Sequence, residues 1–265
     1  MPAKKYTHLF FDLDNTIWDF NSNSYYALKI ALNKLDLLDY IGSYDAFFKI
    51  YSEVNDRLWD LYRKGSMNKK VLSIQRFEES FEKNSTPLFM GGAVVNDAYL
   101  AEMPMQTKLI DGARELLDYL HGRYEVAIIT NGFKEVQYDK IQRSELSKYF
   151  KKIFISEEVG SQKPGKLIFE HAIKSMNAPK KSSLMIGDSW EADIIGAMSF
   201  GIDQLYFAHN LETPYFPIRF QGVLTKSSEF IHVPPYFQDV NPSKLNISPT
   251  STTIITHLDQ ICKIL

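Results

Sequence analysis

The spacing of apolar residues changes along this chain, and the change predicts two kinds of architecture. Residues 7–11 form an apolar run that is too short for a helix and rich in aromatic side chains, which indicates a buried strand. From about residue 18 to residue 105 the apolar positions recur at helical spacing instead, so this segment is predicted to be helical. Its clearest stripe lies between Ser43 and Gly65 and comprises Phe47, Ile50, Tyr51, Val54, Leu58 and Leu61.

Beyond Pro104 short apolar runs alternate with helical stretches, which is typical of a parallel sheet. We therefore predict an α/β protein with a three-layer, Rossmann-like parallel-sheet core formed by residues 1–17 and 106–265. A helical domain, residues 18–105, is inserted after the first strand. The predicted core strands are 126–130, 153–155, 184–187 and 204–207, and the helices between them are 169–176 and 190–200.

The amino-acid composition of the chain excludes several classes of function. The 265 residues carry a formal net charge of −2 and no long run of lysine or arginine, whereas a surface that binds nucleic acid needs clustered positive charge. The single cysteine, Cys262, excludes an internal disulfide, is typical of a reducing compartment, and is expected to pack in the core. The sequence has no apolar signal region at its N-terminus and no stretch long enough to span a membrane. These features predict a cytoplasmic protein that binds neither nucleic acid nor membranes.

Two aspartates directly follow the first predicted strand. Asp12 and Asp14 stand at its carboxyl end, and Thr16 follows them with a hydroxyl that could meet a phosphoryl group. In open parallel sheets the carboxyl ends of the strands form the ligand crevice. Both carboxylates could therefore reach one small substrate, and the motif suggests an aspartate nucleophile.

Further polar motifs stand at the ends of predicted strands or the starts of predicted helices, and each has a plainer explanation when taken alone. Asn-Gly is an ordinary turn, a lysine at the start of a helix is usually solvated, and an aspartate before a helix is usually an N-cap. The functional signal lies in the ordered set, which chance rarely supplies in the right structural context. The motifs are Thr130-Asn131-Gly132, Lys163-Pro164, and Gly187-Asp188 followed by Asp193.

This ordered set resembles the haloacid dehalogenase (HAD) superfamily of phosphotransferases over roughly residues 6–210. The resemblance implies that the core is catalytic and that residues 18–105 form a C1-type cap, which would close over the site and exclude water. The residues that carry it are Asp12-Leu13-Asp14-Asn15-Thr16, Thr130-Asn131-Gly132, Lys163-Pro164 and Gly187-Asp188-Ser189-Trp190-Glu191-Ala192-Asp193.

The resemblance also implies roles for individual residues. Asp12 would attack phosphorus and form an aspartyl phosphate, while Asp14 would protonate the leaving alkoxide and then activate the attacking water. Lys163 would neutralise both the nucleophile and the phosphoryl group. Thr130, with neighbouring backbone N–H groups, would bind the phosphoryl oxygens. The predicted catalytic residues are therefore Asp12, Asp14, Thr130 and Lys163.

The resemblance further implies Mg²⁺ as the cofactor. Asp12, the backbone carbonyl of Asp14 and Asp188 would hold the ion, and Asp193 would orient these ligands from outside. Trp18 lies in the linker to the helical segment, and two explanations stay open for it, namely lining of the leaving-group pocket and hinge packing. The residues expected to bind substrate are Thr130, Asn131, Gly132, Lys163 and Trp18.

Asp14 favours a phosphatase over a dehalogenase, because a departing halide needs no proton and the dehalogenase branch lacks an acidic residue at this position. Within the superfamily the chain most resembles the pyrimidine 5'-nucleotidase group, through residues 14–20, 130–133 and 187–197. That similarity implies a Mg²⁺-dependent hydrolase of small phosphomonoesters, nucleoside 5'-monophosphates in particular. Sugar phosphates, phosphoglycolate and a phosphomutase reaction are the alternatives.

Two hypotheses from other classes stay open. A non-catalytic module that binds phosphoryl ligands could keep the fold, but it would not need both Asp12 and Asp14. Alternatively, the chain could be a structural partner protein that uses the extension formed by residues 214–249, which hold six of the chain's 11 prolines and many aromatic residues. We expect this extension to pack on the chain's own body rather than form a dimer contact or a substrate-side flap. The protein is expected to be a monomer or a homodimer, and residues 252–265 are expected to return to the core as a strand and a helix.

Overall fold

The computed structural model describes residues 5–208, 223–224, 230–231, 250 and 252–265. These residues form two compact units. The core unit comprises the described residues up to Asp19, Leu109–Lys134 and those from Glu145 onward. The helical unit comprises Phe20–Lys108 together with Glu135–Ser144.

The core unit contains a six-stranded parallel sheet, which confirms the predicted fold class. The strands are β1 His8–Phe11, β2 Glu125–Thr130, β3 Lys152–Ile155, β4 Ser183–Gly187, β5 Asp203–Phe207 and β8 Thr252–Ile255. Their order in the sheet is β3-β2-β1-β4-β5-β8, so the strand order reverses at β1. In such sheets the ligand crevice lies outside the carboxyl ends of the strands at this reversal.

The central strands of this sheet are buried on both faces. Leu9, Phe10 and Phe11 of β1 are each inaccessible to solvent, which is why the strand appears in the sequence as a continuous apolar run rather than an alternating one. One face packs Phe10 against helix residues that include Phe169. The helices of this unit are α5 Ala113–Leu120, α7 Ser156–Val159, α8 Lys166–Ser175, α9 Gly196–Phe200 and α10 Ile261–Ile264, with a π-helical turn at Trp190–Ile195.

The predicted return of the chain end to the core is confirmed, because β8 pairs in parallel with β5 and Ile261 is buried. The prediction for Cys262 was wrong, since its side chain is only half-buried. The short final helix points Ile261 inward, and the position next to it on a helix faces a different direction. The expected packing of residues 214–249 lies outside the described residues, apart from the antiparallel pair β6 Val223–Leu224 and β7 Phe230–Ile231.

Residues 18 and 19 of the predicted helical segment belong to the core unit, whereas residues 20–105 lie in the helical unit. Ser43 and Asn68 cap two of its helices, accepting hydrogen bonds from the backbone N–H groups of Ala46 and Val71. None of the described helices is both long and apolar enough to span a membrane. The helices are α1 Phe20–Lys34, α2 Tyr44–Arg63, α3 Lys69–Lys83, α4 Gly92–Glu102 and α6 Lys134–Arg143.

Helix α6 follows β2 in the chain, but almost all of it belongs to the helical unit. Its Glu135 forms an ion pair with Lys69 at the start of α3, at 2.7 Å. Its Lys140 lies 5.4 Å from the centre of the Phe20 ring at the start of α1. The residue before Glu135, Lys134, belongs to the core unit and forms an ion pair with Glu158 of that unit at 2.8 Å.

Candidate active site

A buried ion network lies at the carboxyl end of β1. Lys163 Nζ donates hydrogen bonds to Asp12 Oδ1 at 2.5 Å, to Asp193 Oδ1 at 2.6 Å and to the carbonyl oxygen of Ile129 at 2.7 Å. The side chain of Lys163 is only 2% exposed and that of Asp193 is fully buried. The Asp12 backbone N–H donates to the Ile186 carbonyl at 2.8 Å, which continues the pairing of β1 with β4 and fixes the start of the loop.

Asn131 holds Lys163 in place. Its side-chain oxygen accepts from the Lys163 backbone N–H at 2.8 Å, and its side-chain nitrogen donates to the Lys163 carbonyl at 2.9 Å. Asn131 was predicted to bind substrate, and in the structure the backbone of Lys163 engages both ends of its amide. The residue thus aligns two loops that are far apart in sequence.

Gly187 makes room for Asp193. A Cβ atom at Gly187 would lie 2.2 Å from Asp193 Oδ2, so no side chain fits there. The same Oδ2 accepts a hydrogen bond from the Ser189 backbone N–H at 3.0 Å. This role of Gly187 was not predicted, although a glycine at a strand end is a sign that another group approaches closely.

Thr16 binds Asp188 rather than pointing freely into the crevice. Its hydroxyl accepts from the Asp188 backbone N–H at 3.1 Å and lies 3.3 Å from Asp188 Oδ1, to which it donates. Thr16 is inaccessible to solvent. Its function in this structure is therefore to fix the loop after β4 against the loop after β1.

Asp14 stands in a tight turn. The carbonyl oxygen of Leu13 accepts from the N–H groups of Ile17 at 3.0 Å and Trp18 at 2.9 Å, and Asn15 takes the left-handed conformation at φ 59°. Asparagine tolerates that conformation better than most residues. Trp18 is inaccessible to solvent, and its burial favours the hinge-packing explanation over the lining of a pocket.

Thr130 ends β2 beside this network. It is 1% exposed, and its hydroxyl accepts from the Gly132 backbone N–H at 3.1 Å. The turn therefore brings a hydroxyl and the Gly132 backbone together at the carboxyl edge of the sheet. The structure thus places every predicted catalytic residue in the core unit, and directly joins Asp12 to Lys163.

The network carries more negative than positive charge. Burial raises the pKa of Asp12 to about 7, although Lys163 opposes this effect, and Asp193 and Asp14 add to it. Burial also raises the pKa of Asp188 well above its usual value, with further contributions from Asp12 and Asp193. Burial lowers the pKa of Lys163, but Asp12 and Asp193 outweigh it and the net direction is upward. The lysine is therefore charged at neutral pH.

The donor set fits a divalent cation. One carboxylate oxygen from each of Asp12, Asp188 and Asp193 lies within 4.8 Å of the others. Carboxylate oxygens are the ligands preferred by hard cations such as Mg²⁺. Because one ammonium faces three carboxylates here, an added cation would also relieve the surplus of negative charge.

This surplus predicts that Asp12→Asn stabilises the metal-free protein at neutral pH. A carboxyl group whose folded pKa of about 7 exceeds its ordinary value of 3.8 contributes most stability below 3.8 and loses it as the pH rises through 7. In urea unfolding with chelator, the free energy of unfolding of the variant should therefore rise relative to that of the wild type between pH 4 and 8. The exposed Asp111, replaced in the same way, should give a difference that hardly changes with pH. A pH-independent difference for Asp12→Asn would contradict the raised pKa.

The fold and this network define a class of protein, an α/β enzyme with a buried aspartate–lysine–aspartate site at the reversal point of a parallel sheet. A family model of haloacid dehalogenase-like hydrolases matches residues 6–201. The chain belongs to this family and is a hydrolase.

Relatives of known activity cover most of the chain. The pyrimidine 5'-nucleotidase YjjG of Escherichia coli is 34% identical over 79% of this chain and 90% of its own length. The pyrimidine 5'-nucleotidase PynA of Streptococcus pneumoniae is 32% identical over 78% of this chain and 86% of its own length. Among solved structures, the magnesium-bound HAD-hydrolase YfnB of Bacillus subtilis superposes with a TM-score of 0.77, at 26% identity and over 99% of both chains.

Proposed function

We propose that this protein is a Mg²⁺-dependent phosphomonoester hydrolase that acts through an aspartyl phosphate on nucleoside 5'-monophosphates. The observation that carries the proposal is the buried contact of Asp12 with Lys163 at the carboxyl end of β1, 2.5 Å in length. A second aspartate, Asp14, follows two residues later in a tight turn. A nucleophile held beside a fixed cation, with an acid next to it, is what phosphoryl transfer to a carboxylate needs.

In the first half-reaction an oxygen of Asp12 attacks phosphorus in line. The bond from phosphorus to the ester oxygen breaks, and Asp14 donates its proton to the departing alkoxide. In the second half-reaction Asp14 takes a proton from a water molecule, whose oxygen attacks phosphorus. The bond from phosphorus to Asp12 then breaks, which releases inorganic phosphate and returns both aspartates to their initial states.

The remaining residues orient the substrate and the metal ligands and neutralise negative charge. Lys163 balances the charge of Asp12 and of the phosphoryl oxygens, and Thr130 with the Gly132 turn binds those oxygens. We assign Asp12, the Asp14 carbonyl and Asp188 to Mg²⁺, which supplies positive charge against the repulsion between two anions. Asp193 is assigned to an orienting role, because Lys163 and the Ser189 N–H already engage its two oxygens.

The assignment of a nucleotide substrate rests on the two pyrimidine 5'-nucleotidase relatives and on the sequence stretches that resemble that group. The proposal includes the helical unit as the cap that selects the substrate. A pocket that hydrogen-bonds a pyrimidine discriminates strongly against ligands without those polar groups, because its own buried groups are then left unpaired.

We expect phosphate release to be fastest from pyrimidine nucleoside 5'-monophosphates and to require Mg²⁺. The test compares kcat/KM for pyrimidine and purine monophosphates, sugar phosphates and phosphoglycolate, each with Mg²⁺ and with chelator. A preference for sugar phosphates or phosphoglycolate would overturn the nucleotide assignment and leave the phosphatase intact. No release from any compound would favour the non-catalytic binding module instead.

A further inference from the structure

An aromatic pair lies beside the carboxylates of the site and has no role in the mechanism above. Trp190 and Tyr206 meet edge to face, with ring centres 5.3 Å apart and ring planes at 81°. Burial raises the pKa of Tyr206, and the charges of Asp188 and then Asp193 raise it further. The ring of Tyr206 therefore lies within electrostatic reach of two of the three carboxylates that face Lys163.

The sheet places Tyr206 and Asp193 side by side. Tyr206 pairs with Gly187 in the register of β5 with β4, so both residues present the same face of the sheet. The space that a side chain of Gly187 would fill is occupied by the carboxylate of Asp193. The Tyr206 ring and the Asp193 carboxylate thus lie above neighbouring strands, which are about 4.8 Å apart in a sheet.

Trp190 joins this face to the segment that carries Asp193. It is the first residue of the π-helical turn Trp190–Ile195. Within that turn the Ser189 carbonyl accepts from both Asp193 N–H at 2.9 Å and Ile194 N–H at 3.3 Å. A π-helical turn is rare and frequently found at functional sites, and it persists where its surroundings hold it. Because Tyr206 lies outside the turn, its contact with Trp190 can stabilise the π-helical geometry.

We propose that the Trp190–Tyr206 contact is a positioning device, which fixes the π-helical turn and thereby keeps Asp193 in its orienting position and Asp188 in place to bind a divalent cation. This inference rests on the metal site of the proposed function. The positioning effect depends on the ring of Tyr206 and not on its hydroxyl, because the ring makes the contact with Trp190. Neither residue is assigned a contact with the reacting atoms.

The test is Mg²⁺ affinity, measured by titration calorimetry without substrate. Tyr206→Ala and Trp190→Ala should each weaken Mg²⁺ binding by about tenfold or more, the usual range for outer partners of metal ligands. Tyr206→Phe keeps the ring and should stay within about twofold of the wild type. The double alanine variant should bind no more weakly than the weaker single variant, because both changes remove one contact. Tyr149→Ala is the matched control, since Tyr149 forms an edge-to-face pair with His121 elsewhere in the core unit.

The possible outcomes distinguish failure of this inference from failure of the proposed metal site. Failure of the wild type to bind Mg²⁺ would overturn the metal site and the inference together. Wild-type binding with unchanged affinity in both alanine variants, or a loss equal to that of Tyr149→Ala, would overturn the inference alone. If the alanine variants unfold, Tyr206→Leu and Trp190→Leu keep apolar volume without the ring contact, and they must show the same tenfold loss.

Discussion

Replacing Asp12 with asparagine is expected to reduce phosphate release by about 10⁴-fold or more, the scale of loss when a covalent nucleophile is removed. Asparagine has nearly the size of aspartate and can still accept the hydrogen bond from Lys163, but its amide oxygen does not form the acyl phosphate. The measurement is kcat with saturating Mg²⁺ on the best substrate of the panel. Because the same variant is expected to be more stable than the wild type in chelator, its inactivity cannot be assigned to unfolding.

The matched control for this loss is Asp111→Asn, which makes the same change at an exposed position of the core unit. Its kcat should stay within about twofold of the wild type, as for most surface substitutions. Residual activity of Asp12→Asn above a few per cent would argue for direct attack by water on the substrate. In that case the aspartyl phosphate, and with it the role of Asp12 as nucleophile, would be wrong.

The second large effect is expected for Lys163→Met, which keeps the length of the side chain and removes its charge. Asp12 and Asp193 then lose the buried ammonium group that both of them contact. Removal of one partner from a buried ion network lowers the free energy of unfolding by about 3–5 kcal/mol. Urea unfolding in chelator at pH 7.5 measures the loss. The deficit should shrink as the pH is lowered, because protonated carboxyl groups no longer need a cation.

Lys166→Met provides the control, because it makes the same substitution three residues further on at an exposed position. Its unfolding free energy should change by less than about 0.5 kcal/mol. An equal stability of the two variants would show that the Lys163 network does not stabilise the core unit. Phosphate release should also fall steeply in Lys163→Met and stay unchanged in Lys166→Met.

Much of the core could be predicted from the sequence, because its strands are buried on both faces and appear as short apolar runs. The run that ends at Asp12 predicted β1. The alternating pattern predicted a parallel sheet, so the motifs could be assigned to its carboxyl edge. The order of the strands, which reverses at β1, could not be predicted from that pattern. Their residue types pointed to phosphoryl chemistry only as an ordered set.

The partners inside the site could not be predicted, because they join segments that are distant in sequence. Thr16 and Asp188 are separated by 172 positions, and nothing near Thr16 indicates that its hydroxyl is engaged. Asn131 was expected to bind substrate, since its turn also suits an anion, and only the fold shows its amide on the Lys163 backbone. The π-helical turn has the apolar spacing of an ordinary helix start, so the pattern predicts a helix and not its wide geometry.

The place of helix α6 has a practical consequence for engineering. The chain crosses between the two units at four points, residues 19–20, 108–109, 134–135 and 144–145, instead of the two expected for a single insertion. A chimaera that exchanges only residues 20–108 with those of a relative would leave Glu135 and Lys140 facing foreign neighbours. Transfer of the helical unit between members of this family therefore requires residues 135–144 to travel with residues 20–108, and the two pieces form one exchangeable module.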